Sequence, residues 1–371
     1  MKVLLLSSTN SVTNGYGNIT HELCCYFSDK LDFTLLLPKS QKRANTAATY
    51  NIDYVLPDYI FRLKSRQLLK YLFFNYPGQP DIIHSLFEFP YALLAQKLAN
   101  RKNAKLVIGA QGTYAVKPLT LWPESFFVKS AYRAADALVA TSAYTRDSIL
   151  NLCSVSRPVR IIHNGVNFAR FTTPRDTAAI RQVYPGKKLL LTVGALRRRK
   201  GQDIVLRALA LVKQQRTDWH YLIVGLGDQQ ATLKQIVADQ GLEEFVTFMG
   251  ERSGQEMVGI FQASDIYIHT ARLTRGNFEG FGIVYLEASA CRKPIIAARS
   301  GGVPDAVIDG QTGLIVPEND PEATSQAILR LLENPDLATT LGEAGYRYAQ
   351  QHDWSVIGKQ WLDLYQQLLS K

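Results

Sequence analysis

Cysteine is scarce in this sequence of 371 residues, and Cys24, Cys25, Cys153 and Cys291 show no CxxC spacing. That pattern excludes a zinc ribbon and offers no disulfide framework, so the four read as small buried hydrophobes. Long apolar runs are missing too. No stretch of about 18 apolar residues occurs, which argues against a membrane-spanning helix. The opening run Val3-Leu4-Leu5-Leu6 is too short for a secretory leader, so a cytoplasmic protein is expected. Low-complexity tracts and short-period repeats are absent, which argues against disorder and against a solenoid. Acidic residues are few in the first half: residues 1–165 hold 10 Asp and Glu against 19 Lys and Arg, while the remainder holds 22 against 23. Nearly all of the net charge of +10 is therefore N-terminal. Such asymmetry points to an anionic partner on that side, either a nucleic acid or an anionic membrane leaflet.

What is present is ordinary in bulk and informative in order. The length exceeds what one hydrophobic core usually serves, and 46% hydrophobic with 20% charged residues fits a globular protein of two domains. Short apolar runs at 2–7, 33–37, 81–84, 106–108, 137–140 and 159–162 alternate with helix-like segments, the first of them at 19–27 after a polar loop over 10–18. A polar stretch with Pro174 and Pro185 follows, and a second series begins at 189–194 and continues at 221–225, 246–248, 266–268, 294–297 and 313–316. Strand and helix in alternation imply parallel sheets. The expectation is an α/β chain with two Rossmann-like, doubly wound domains, 1–168 and 169–353, facing each other across a cleft. Apolar residues at Ile357, Trp361, Leu364, Tyr365 and Leu368 give a closing amphipathic helix, placed over 354–371 against the first domain.

Open α/β domains bind ligands outside the carboxyl ends of their strands, so the loops there should carry the chemistry. In Asn277-Phe278-Glu279-Gly280-Phe281-Gly282-Ile283-Val284-Tyr285-Leu286-Glu287, a Gly-rich loop opens into a helix with one carboxylate on each side of the junction. Gly280 and Gly282 free the backbone to approach a ligand, and the amides near Ile283 favour the negative charge of a diphosphate. Glu287 can accept from a ribose diol, and Glu279 can orient hydroxyls of a transferred sugar. A second segment, Val193-Gly194-Ala195-Leu196-Arg197-Arg198-Arg199-Lys200-Gly201, ends a strand in four consecutive cations. Lys200 and Arg199, nearest the next helix, are placed to stabilise a departing diphosphate.

These two segments, in this order, resemble the family-4 glycosyltransferases, and the likeness extends over most of the chain. Val224-Gly225-Leu226-Gly227-Asp228, Lys293-Pro294-Ile295-Ile296-Ala297 and Ser300-Gly301-Gly302-Val303-Pro304 fit the same template. The wording around Glu279 and Glu287 is closest to members that glycosylate lipids, such as bacterial phosphatidylinositol mannosyltransferases. The resemblance implies the GT-B fold, retention of anomeric configuration, no metal or other cofactor, and a nucleotide diphosphate sugar such as GDP-mannose or a UDP-hexose. Phe281, Gly225, Gly194 and Arg197 join the donor site on this basis. Asn14-Gly15-Tyr16-Gly17-Asn18 resembles the family's first Gly-rich loop, with Gly15 and Gly17 near the donor phosphates. Ala195 stands where the family usually has Arg, leaving Arg197, Arg199 or Lys200 for the pyrophosphate. Gln111 stands where it often has His, so a carbonyl or amide takes the catalytic place of an imidazole.

His84, Tyr114 and Trp122 are candidates for the acceptor side, where a lipid-linked or oligosaccharide acceptor is expected. Residues 61–74 mix four cations with many apolar side chains, and Lys97, Arg101, Lys102 and Lys105 extend the patch, as in enzymes lying peripherally on the inner face of a cell membrane. No DxD-like metal-binding pair lies in a suitable loop, and no recognisable RNA- or DNA-binding module appears, so neither a metal nor a nucleic acid is expected. Two rival readings remain: a GT-B epimerase or phosphorylase, and a non-catalytic basic binding protein.

Overall fold

The computed structural model describes residues 1–12, 15–43, 49–58, 65–87 and 89–370, the side chains at 43 and 65–67 excepted. The chain divides into two compact units, Met1–Gly165 with Trp354–Lys371 and Val166–Asp353. The division thus falls at 165/166 rather than 168, because Val166 already pairs with Asp353 and its N–H donates to the His352 carbonyl at 2.9 Å.

The first unit carries strands β1 (Lys2–Leu6), β2 (Asp32–Pro38), β3 (Ile52–Leu56), β4 (Ile82–Ser85), β5 (Lys105–Ala110), β6 (Ala137–Ala140) and β7 (Arg160–Ile161). They form one parallel sheet in the order β3-β2-β1-β4-β5-β6-β7. The second unit carries β8 (Lys188–Val193), β9 (Trp219–Val224), β10 (Val246–Gly250), β11 (Ile266–His269), β12 (Ile295–Ala298) and β13 (Gly313–Val316), parallel in the order β10-β9-β8-β11-β12-β13.

Apolar runs form these strands because both faces of each sheet are covered. In the second unit the side chains sort by parity: Leu190, Tyr221, Ile223 and Ile268 enter one core cluster, while Leu189, Leu191, Leu222, Val224 and Tyr267 enter the other. That is the period of two that sends successive side chains to opposite faces. In the first unit, the helix Trp354–Leu369 buries Trp354, Ile357, Trp361, Leu364, Tyr365 and Leu368 on one face. Gly358 lets it lie close to the helix Gly15–Phe27, since a Cβ there would come within 2.3 Å of the Tyr26 ring.

Two local expectations change. Residues 15–18, read as loop, form the first turn of the helix Gly15–Phe27, and a Cβ at Gly17 would lie 2.1 Å from the Ser11 carbonyl oxygen. Strand β3 is an edge strand whose residues are half-buried apart from Leu56, so no continuous apolar run announces it.

In each sheet the strand order reverses beside the first strand, between β1 and β4 and between β8 and β11. Crevices at such reversals are where open α/β sheets bind ligands. In the second unit the segments leaving β8 and β11 are the basic run and the stretch leading to Glu279.

Candidate active site

The basic run leaves β8 at Gly194, whose φ of 151° suits glycine, and tightens into one turn over Arg198–Lys200 before the helix Gln202–Lys213. Gly201 closes the turn at φ 72°, where a Cβ would fall 1.9 Å from the Thr270 carbonyl oxygen. From this turn Lys200 Nζ reaches Glu279 Oε2 at 2.5 Å and Arg199 Nη1 reaches the same oxygen at 2.9 Å. All three side chains are largely buried. Burial alone would raise the Glu279 carboxyl; the Lys200 ammonium and Arg199 guanidinium outweigh it and hold the group far below the usual carboxylate range. The cluster is therefore ionised, two cations to one anion.

Glu279 keeps its place through its backbone, since its carbonyl accepts from the Gly302 N–H at 2.8 Å and lies against Gly301, where a Cβ would sit 2.5 Å away. Gly280 continues the turn, Phe281 anchors it with a ring that is 1% exposed, and Gly282 at φ 91° starts the helix Ile283–Ala290. With its ring in the core, Phe281 has only backbone to offer a donor. Glu287 lies four positions after Ile283, half-buried on that helix. Gly225 packs on the Gly194 carbonyl, with a Cβ there only 2.1 Å from the oxygen, so it brings the ends of β8 and β9 together. Arg197 is exposed at the start of the basic turn.

His269, which the sequence reading did not single out, ends β11 and is fully buried. A Cβ on Gly194 would lie 3.9 Å from both His269 Cε1 and Lys200 Cε, so glycine, imidazole and ammonium border one another. Burial, with Lys200 adding to it, pushes the imidazole down to about 3, so the ring is neutral. The Tyr267 hydroxyl donates to the Val193 carbonyl at 3.3 Å and lies 3.2 Å from His269 Nδ1.

In the first unit, Gln111 follows β5 and its backbone carbonyl accepts from the Tyr16 hydroxyl at 2.7 Å. Tyr16 in turn packs against Phe87 and Tyr114, with ring centroids 4.8 and 5.4 Å away. Gly15 is exposed at the helix start and Trp122 is 82% exposed. His84 is wholly buried, its Nδ1 lies 2.6 Å from the Tyr365 hydroxyl, and its ring packs on Trp361 at 4.6 Å. Burial pushes it down to about 3. It ties the helix Trp354–Leu369 to the sheet.

A family model described as "Glycosyl transferases group 1" matches residues 175–348, and one described as "Glycosyltransferase Family 4" matches residues 13–170. A GDP-mannose-dependent α-(1-6)-phosphatidylinositol monomannoside mannosyltransferase of Mycolicibacterium smegmatis is 32% identical, over 74% of this chain and 73% of that protein. The chain is a family-4 glycosyltransferase. A GDP-mannose-dependent monoacylated α-(1-6)-phosphatidylinositol monomannoside mannosyltransferase of Corynebacterium glutamicum is 33% identical, over 75% of this chain and 74% of that protein. Among solved structures, Anabaena HepE in complex with UDP and glucose superposes with a TM-score of 0.81 at 20% identity, over 99% of this chain and 100% of that one. Sucrose-phosphate synthase from Thermosynechococcus elongatus gives 0.78 at 21%, over 100% and 99%. With the two parallel sheets, these likenesses establish the GT-B fold.

The residues that sequence reasoning passed over are His269, which ends β11, and Arg272, three residues beyond it; β11 is the strand beside β8 at the reversal of order. That topological position is the signal that finds them; neither belongs to a run or period in the sequence. Among the described residues no group of three or more His, Cys, Asp or Glu side chains is arranged to hold a metal, and no helix is long and apolar enough to cross a membrane.

Proposed function

We propose that this glycosyltransferase moves a hexose, with GDP-mannose the first donor to test and a UDP-hexose the second, to a lipid-linked acceptor in cell-envelope glycolipid or polysaccharide synthesis. The mannosyltransferase relatives support the donor and acceptor class. The observation that carries the chemistry is the Glu279–Lys200–Arg199 cluster beside the start of the helix at Ile283. Two cations and the opening amides of a helix form a seat for a diphosphate and for the charge it gains on leaving. Glu287, four residues on, takes the ribose hydroxyls, and Glu279 steers the sugar.

In this reading the acceptor hydroxyl attacks from the face that the diphosphate leaves, and a donor phosphate oxygen takes its proton. The new glycosidic bond forms as the anomeric carbon–phosphate bond breaks, with retention. Lys200 and Arg199 stabilise the leaving group without a divalent ion. Transfer from GDP-mannose and UDP-glucose to lipid extracts, in chelator, with the product anomer read by NMR, tests the scheme. A strict requirement for a divalent ion or an inverted product would overturn it.

A basic and aromatic face supports the lipid acceptor. The helices Ser65–Leu72 and Glu124–Ala134 both pack on Tyr91–Lys102, where Arg101 donates to the Leu72 and Phe74 carbonyls at 2.8 Å and Gln96 to Ser130 Oγ at 3.0 Å. Phe73 and Phe126 are 72% and 70% exposed, and Lys70, Lys97, Arg101 and Arg133 are exposed on these three helices. Apolar rings flanked by snorkelling cations dock on anionic lipid, which would place the enzyme on the inner face of the membrane. Residues 61–64 of the expected patch lie outside the described residues. Flotation with anionic vesicles should be salt-sensitive, and no binding at low salt removes the membrane partner.

A further inference from the structure

Arg272 lies just past the end of β11 with a side chain only 8% exposed. Its guanidinium is spent on three separate segments. Nη2 donates to both carboxylate oxygens of Asp203 at 2.9 Å, Nη1 to Asn319 Oδ1 at 3.0 Å, and Nε to the Arg198 carbonyl at 2.9 Å. Its backbone N–H donates to the Arg199 carbonyl at 2.8 Å. Two residues earlier, the Thr270 hydroxyl donates to the Gly201 carbonyl, also at 2.8 Å. The backbone of the basic turn thus rests on residues 270–272 at Arg198, Arg199 and Gly201, while the Arg199 and Lys200 side chains extend from it to Glu279.

We propose that Arg272 is a positioning residue for the diphosphate of the donor. It fixes the turn from which Arg199 and Lys200 reach the leaving phosphate, and through Asp203 it ties that turn to the helix Gln202–Lys213. Asp203, in the first turn of that helix, neutralises the guanidinium where a helix start already favours an anion. The planar fork is what the geometry demands: a lysine ammonium can replace the charge but cannot hold a carboxylate edge, an amide and a carbonyl in fixed directions at once. This rests on the donor reading above, in which the β-phosphate is what senses the two cations.

The test is calorimetric binding of GDP, UDP, GMP and UMP to the full chain and to Arg272→Lys and Asp203→Asn, with transfer kinetics alongside. The wild type should favour the diphosphate of the preferred base. Arg272→Lys should weaken that diphosphate about tenfold, the loss of one well-placed charge-assisted contact, and leave the monophosphate within about twofold. It should lower kcat without raising the acceptor KM. Asp203→Asn should shift the diphosphate in the same direction by a smaller factor, and it carries the test should the lysine variant not fold. A merely structural role would lower Tm and the folded fraction but would not move the ratio of diphosphate to monophosphate affinity. Folded variants that keep the wild-type ratio overturn the proposal alone. A wild-type chain that binds neither GDP nor UDP overturns the donor reading and the proposal with it.

Discussion

Replacing Glu279 with Gln keeps the shape of the side chain and removes the anion that pairs with Lys200 and Arg199, at 2.5 and 2.9 Å. The side chains of Glu279, Lys200 and Arg199 are 13%, 11% and 29% exposed, so the two cations would be left close together and poorly hydrated. Removing one partner of a buried pair costs about 3–5 kcal/mol. Arg199 retains contact with water, which favours the lower end, about 3 kcal/mol. At about 2–4 °C per kcal/mol for a domain of this size, Tm should fall by about 6–12 °C.

The loss should depend on pH with a definite sign. Glu279 has a folded pKa below its unfolded value near 4.3, so its stabilisation is complete above that value and drains away as pH falls through the folded pKa. Wild type and variant should therefore differ most near neutrality and converge in acid. Added GDP or UDP supplies the missing anion and should raise the Tm of the variant more than that of the wild type. Scanning fluorimetry with and without nucleotide reads all three effects. A loss below about 1 kcal/mol, the range of exposed ion pairs, or a difference that grows in acid, would refute the reasoning.

Lys200→Ala should lower kcat by about 10²–10³, the cost of removing one positioned electrostatic donor, and Arg199→Ala by less, since Arg199 is the more exposed; steady-state transfer rates check both. Tyr365→Phe takes away the hydroxyl beside His84 and should cost about 1–3 kcal/mol in urea unfolding while both KM values stay unchanged. Gly201→Ala meets a positive φ and the Thr270 carbonyl together, so it should lose more than about 1–3 kcal/mol and most transfer activity.

The sheets were legible because buried parallel strands are short continuous apolar runs, as at Leu189-Leu190-Leu191. Strand β3 was not, since Ile52, Asp53 and Tyr54 form a half-buried edge. Residues 15–18 misled because glycines weaken a helix pattern even where Gly17 is needed for close packing on Ser11. The union of Arg199, Lys200 and Glu279 in one cluster followed from two motifs at the ends of neighbouring strands. Arg272, Asp203 and Asn319 carry no such mark; they lie far apart in sequence, and only the folded chain brings them to one guanidinium. The packing role of His84 was not legible either, since only the folded chain brings Tyr365 and Trp361, far along the sequence, against its ring.

The return of the helix Trp354–Leu369 to the first unit makes the second unit an insertion within the first. On the ribosome, the strands β1 to β7 emerge long before the residues that cover them, and Trp361 and Tyr365 reach His84 only after the whole second unit has been made. The second unit can complete itself earlier, since its whole sequence precedes that helix. Premature termination shortly before residue 354 should therefore leave a folded second unit attached to a half-closed sheet, a species for quality control to recognise.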